Sequence, residues 1–212
     1  MNPSVFIFGT DHKLQCGNKK RYSTNTLNEF REHLHRIIEE HGIALIAEEM
    51  ARNRVFFFSE ACASETIAAA IAQELDLIHC YIDIDEKTTT NLCILPEQLE
   101  DVSKSLAATD HNSEILFGSL KHNLRHGIRE RVWIARIYAA NLWPTLFICG
   151  ADHVMNLQAL LCQTSCESRI IEMDYDPAPG DPDEEEDHDE QQKAMDEVLS
   201  NNTEKDLPHT SD

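Results

Sequence analysis

"SVFIFGTDH", residues 4–12, drives an apolar run into a glycine and ends on a histidine. Residues 146–153, "LFICGADH", repeat the form: apolar run, Gly, x, Asp, His. A short, unbroken apolar run closed by a glycine reads as a strand buried on both faces, as in parallel sheets. Two further runs lie between them, "IALIAEE" (43–49) and "HCYIDID" (79–85), each ending in carboxylates. A fifth, "SRIIEMDY" (168–175), closes the series.

Helical patterns separate the runs. In residues 23–42, Leu27, Phe30, Leu34, Ile37 and Ile38 recur at spacings of three and four. Thr24 or Thr26 is placed to cap the start, and Gly42 to close the end. Residues 64–77 are alanine-rich and periodic, with Ser64 as the expected cap. Residues 124–141 read as a long helix despite Gly127, and "DHVMNLQALLCQ" (152–163) as another. Residues 86–121, with a threonine run and Pro96, read as an insertion over one end of the sheet, with a short helix at "PEQLEDVSKSL". Strands alternating with helices predict an α/β fold: a single domain over residues 1–175, with a mainly parallel β-sheet flanked by helices.

The net charge of −20 is unevenly placed. From Asp174 to Asp212 there are 15 acidic and 2 basic residues, a net of −13, which leaves −7 for residues 1–173. The tail has few large apolar groups and a block of like charge, so residues 176–212 are expected to be a disordered acidic C-terminal tail. An acidic body argues against nucleic acid as a partner. No apolar run approaches the ~20 residues that span a bilayer, which argues against a membrane partner. The seven cysteines are odd in number, two of them (Cys80 and Cys149) inside strand-like runs, and "MNPSVFIFG" lacks the charged start and long apolar run of a signal peptide. The expected location is a reducing cytoplasm.

In an open parallel sheet, ligands bind beyond the carboxyl ends of the strands. The residues at those ends here are Asp11 and His12, Glu48 and Glu49, Asp83 and Asp85, and Asp152 and His153. Gly9 and Gly150 are expected to turn the chain sharply, so that each histidine faces the cleft. Two imidazoles and a carboxylate can hold a divalent metal with an open position for water. They can equally act on water directly as base and acid. Neighbouring strand residues point opposite ways, so sequence does not choose between Glu48 and Glu49. "IRERVW" (128–133) has two readings: a solvated charge cluster beside a core tryptophan, or Arg129 or Arg131 aimed at the cleft to hold an anion. Asp174 reads as a solvated residue opening the tail. His33, His35, His41, His122 and His126 read as surface histidines of helices.

Taken in order, "FIFGTDH", "LIAEE", "ETIAAAIAQEL", "RERVW" and "FICGADH" resemble the superfamily that gathers TraB and Tiki proteins, erythromycin-esterase-like enzymes and ChaN-like proteins. That superfamily is marked by two Gly-x-x-His motifs with a Glu or Glu pair between them. The resemblance implies a parallel-sheet core with the motifs in one pocket. It places Gly9, His12, Gly150 and His153 on the motif positions, Glu48 or Glu49 on the carboxylate, and Arg129 to Arg131 on a less fixed arginine region. The activities it implies diverge: metal-dependent peptidases, metal-independent hydrolases and haem binders. The expectation is a hydrolase acting on a small molecule or peptide. His12, Glu48, Glu49, His153, Arg129 and Arg131 would be catalytic, and Gly9, Asp11, Gly150 and Asp152 would line the binding site. Manganese, cobalt or zinc would sit on His12, His153 and Glu48 or Glu49. The alternative is a ligand- or metal-binding protein whose acidic tail docks on a basic protein.

Overall fold

A computed structural model describes residues 2–52, 54–60, 63–84 and 126–177. The expected helix within 86–121, Asp85, His122 and residues 178–212 of the acidic tail lie outside the described residues.

Five strands, β1 (Ser4–Thr10), β2 (Leu45–Glu48), β3 (Ile78–Tyr81), β4 (Thr145–Cys149) and β5 (Glu167–Tyr175), form one sheet in the order β3-β2-β4-β1-β5. Every pairing is parallel, with Val5 beside Thr145 and Leu45 also beside Thr145, so β4 lies between β1 and β2. The helices are α1 (His12–Gln15), α2 (Thr24–His41), α3 (Val55–Phe58), α4 (Ile67–Glu74), α5 (Gly127–Ala140) and α6 (Val154–Leu161), the last preceded by a 3₁₀ turn over Ala151–His153.

The alternation of strand side chains sorts two cores. Phe8, Ile46, Leu146 and Ile148 face one way and pack with Leu27, Phe30, Leu34 and Ile37 of α2 and Ala68 and Ile71 of α4. Val5, Ile7, Ala47, Phe147 and Cys149 face the other and pack with Trp133, Ile134 and Ile137 of α5 and Leu157 and Leu161 of α6. Burial on both faces is why these strands carry continuous apolar runs. The sheet topology follows: after β1 the chain crosses to the α2 layer, and after the adjacent β4 it enters the α6 layer. A crevice opens at such a switch point.

Several local expectations are corrected. Ser23, not Thr24 or Thr26, caps α2, its side chain accepting from Thr26 N, while Gly42 closes the helix in the left-handed region at φ 58°. Thr66, not Ser64, caps α4, accepting from Ala69 N. The third strand ends at Tyr81, short of the carboxylates, and lies at the sheet edge with Ile78 exposed. Neither motif glycine makes a left-handed turn: positive φ among glycines occurs at Gly17 and Gly42, and Gly150 is extended at φ −60°, ψ 144°. Gly9 lies inside β1, where a Cβ would fall 2.1 Å from Met173 O and 2.6 Å from Val154 Cγ2. Its role is close approach of β5 and α6, not a turn.

Cys16, Cys80, Cys149, Cys162 and Cys166 are unpaired thiols. No helix among the described residues is long and apolar enough to cross a membrane.

Candidate functional site

The carboxyl ends of the strands bring His12, Glu49, Asp83, Gly150 and His153 to one edge, and α5 adds Arg129 and Glu130. Glu49 is the hub. Its Oε1 accepts from Arg129 Nη2 at 2.8 Å, and its Oε2 accepts from Gly150 N at 2.8 Å. The same Oε1 lies 3.3 Å from His153 Nε2 and 3.9 Å from His12 Nε2. The carboxylate is 3% exposed, so this ring of donors is what keeps it charged. Burial works against that charge. The hydrogen bond from His153 and the charges of His12, His153 and Arg129 outweigh it and hold the Glu49 carboxyl at about 2.

Arg129 is itself shared. Its Nε donates to Asp83 Oδ1 at 3.1 Å and its Nη2 to Asp83 Oδ2 at 2.9 Å. Its guanidinium lies 5.0 Å from the Trp133 ring centroid, and the indole N–H donates to Asp83 Oδ1 at 3.0 Å. The network ties α5 to the ends of β2 and β3. The two readings of "IRERVW" are thereby combined: Trp133 is core, and Arg129 reaches the site but is held by two carboxylates of the chain itself. Arg131 points away, donating to Gly127 O at 2.7 Å.

His153 is 5% exposed and touches a carboxylate on each side. Its Nδ1 lies 2.8 Å from Glu130 Oε1, while its Nε2 faces Glu49. Burial favours the neutral ring. Hydrogen bonds with Glu130 and Glu49, and then the charge of Glu49, overcome that and raise His153 to about 9, against the opposing charge of Arg129. Trp133 meets its ring edge-on at 4.9 Å, and His126 stacks on it at 4.5 Å and 25°. His126 is thus not a surface histidine of its helix. Its partnership with a residue 27 positions on left no mark in local sequence.

The adjacent glutamates part ways. Glu48 turns to the α4 side of the sheet, where its Oε2 accepts from the Thr66 hydroxyl and lies 2.7 Å from His79 Nε2. Its Oε1 is buried with no hydrogen-bond partner among the described residues. Strand alternation therefore puts Glu49, and not Glu48, with the two motif histidines.

The cleft beside Glu49 has a volume of about 320 Å³ and is lined by Thr10, Asp11, His12, Gly150, Ala151, Asp152, His153 and Asp174. Asp11 is spoken for as the N-cap of α1, accepting from Lys13 N and Leu14 N. Asp152 and Asp174 are exposed at the rim, and Asp174 belongs to β5 instead of opening the tail. Phe58 of α3 packs on the His12 ring at 5.2 Å. A Cβ at Gly150 would stand 3.5 Å from both Glu49 Oε2 and His12 Nε2, so any longer side chain would fill the space between them. That is the use of Gly150. A second hollow of about 260 Å³ between β3 and α5 is lined by no histidine or carboxylate.

Cys149 is buried beneath this site. Burial, then the charges of Glu49 and Glu130, push its thiol well up, so it is no thiolate nucleophile. Of the two glutamates left open as a metal ligand beside His12 and His153, Glu49 alone reaches the histidines. Glu48 lies on the other side of the sheet, and Glu49 already holds the Arg129 cation at Oε1, where a second cation would be repelled. The cleft does not fit a metal ion on His12, His153 and Glu49.

No family model matches the chain, and neither the curated proteins nor the solved structures contain a match.

Proposed function

We propose that this chain is a hydrolase whose cleft activates water between His12 and Glu49. The observation that carries the reading is the convergence on Glu49. Arg129 and Gly150 N–H fix the carboxylate, and His12 Nε2 stops 3.9 Å short of it. That separation is too long for a hydrogen bond and suits one bridging water. His12 is the more accessible of the two motif histidines, with 28% of its side chain exposed. It would take a proton from the water at Nε2 as the oxygen attacks an electrophilic carbon, then return the proton to the leaving group. Glu49 would accept a hydrogen bond from the same water and orient it. His153 and Arg129 are positioning residues, since both act through Glu49. The acidic rim, Asp152 and Asp174, favours neutral or cationic substrates.

The test is turnover of a panel of esters and small peptides by native protein, His12→Ala and Glu49→Gln. Native protein should hydrolyse at least one class. Each variant should lose about 10²-fold or more with its circular dichroism unchanged. Undiminished turnover by a folded His12→Ala variant, or no turnover of any class by native protein, overturns the reading.

A further inference from the structure

His153 has a second nitrogen that the cleft does not use. On that side, His126 and Glu130 stand one helical turn apart, the spacing that brings two side chains to one face. His126 has helical backbone angles (φ −68°, ψ −48°) at the start of α5, so the spacing holds in three dimensions. One ligand atom each from His126, Glu130 and His153 lies within 4.8 Å of the other two.

We infer that His126, Glu130 and the Nδ1 atom of His153 form a binding site for a borderline divalent metal ion such as zinc or cobalt. Two imidazoles and one carboxylate suit such ions, whereas magnesium and calcium prefer all-oxygen surroundings. Glu130 is 2% exposed, a buried carboxylate 2.8 Å from His153 Nδ1, so an ion there would take over the positive charge that the imidazole supplies. The outer contacts also fit. A histidine that binds metal through one nitrogen donates its other N–H to a carboxylate. His153 Nε2 already faces Glu49 Oε1 at 3.3 Å, and Trp133 holds the ring edge-on. On binding, any proton on Nδ1 leaves to solvent while Nε2 keeps its own. The ion would fix His153 as an Nε2–H donor aimed at Glu49. Three protein ligands leave a position for water or another donor.

The site does not rest on the hydrolase reading, and its test does not use activity. Full-length protein, without an affinity tag and dialysed against chelator, is titrated with cobalt(II) while its visible absorption is followed, and zinc is then added to displace the cobalt. Native protein should take up one tight equivalent. His126→Ala and Glu130→Gln should each weaken binding by at least about tenfold, and His12→Ala should bind as native does. Glu130→Gln preserves shape and His126→Ala leaves the buried Glu130–His153 pair intact; circular dichroism checks that each is folded. Native-like binding by either folded variant overturns the site. So does loss of binding in His12→Ala, which would put the ion in the cleft, and so does no uptake by native protein.

Discussion

A single imidazole between two buried carboxylates, His153 between Glu49 and Glu130, makes stability depend on pH from both directions. In the folded chain His153 sits at about 9, above its ordinary 6.5. Its contribution is complete below about 6.5 and is lost as pH rises through 9. Glu49 sits at about 2, below its ordinary 4.5, so its contribution is complete above about 4.5 and is lost as pH falls toward 2. Chelator-treated protein should therefore show its highest urea midpoint between about pH 4.5 and 6.5 and lose roughly 3 kcal/mol between pH 6.5 and 9.5. A flat profile across the alkaline arm would contradict the coupling. The paired glutamates offer a sharper contrast. Glu49→Gln strands Arg129 and His153 in a buried setting and should cost about 3–5 kcal/mol. Glu48→Gln disturbs the contacts to Thr66 and His79 and should cost about 1–3 kcal/mol. Denaturant melts of the two variants, side by side, measure the difference.

Within elements, Gly9 is the position with least tolerance. An alanine there must push back both the β5 backbone at Met173 O and the Val154 side chain of α6. Gly9→Ala should lower stability by at least about 1–3 kcal/mol, read as a fall in the urea midpoint. Gly150→Ala meets only ordinary contacts at 3.5 Å and should melt much closer to native. The two glycines look alike in sequence, and they differ because one faces a neighbouring strand and the other a cleft. Helix ends show the same division. Gly42 was legible because the left-handed closure is a local matter. Thr66 was not, because its hydroxyl also answers to Glu48, eighteen residues earlier. Ser23→Ala should cost about 1 kcal/mol, as loss of an N-cap does.

At the scale of the molecule, the parallel sheet and its two helical layers were legible, because double burial writes itself as unbroken apolar runs. So was the edge at which His12, His153 and one of the paired glutamates meet, though not that the glutamate is Glu49. Their partners were not. The exception is Arg129, one of the two arginines that "IRERVW" offers to the cleft; Glu130, Trp133 and His126 enter with it from α5, a helix separated from β3 by the long 86–121 segment, and no spacing rule reaches across it. Yet α5 is what locks the edge: Arg129 and Trp133 both donate to Asp83, and Arg136 donates to the Ile82 and Asp83 carbonyls at 2.9 and 2.8 Å. Asp83→Asn should loosen that junction, red-shifting tryptophan emission as Trp133 meets water and lowering stability by about 2–4 kcal/mol. An unshifted spectrum with native stability would show the junction to be held by packing alone.

The switch point has one more consequence. The chain carrying His12 runs on into the layer of α2, and the chain carrying His153 runs on into the layer of α6. The two imidazoles are passengers on opposite sides of the sheet, and they meet only over its rim. Their separation is a gauge of how thickly each layer is upholstered, so Phe30 on one side and Leu157 on the other together set the jaw width of the cleft.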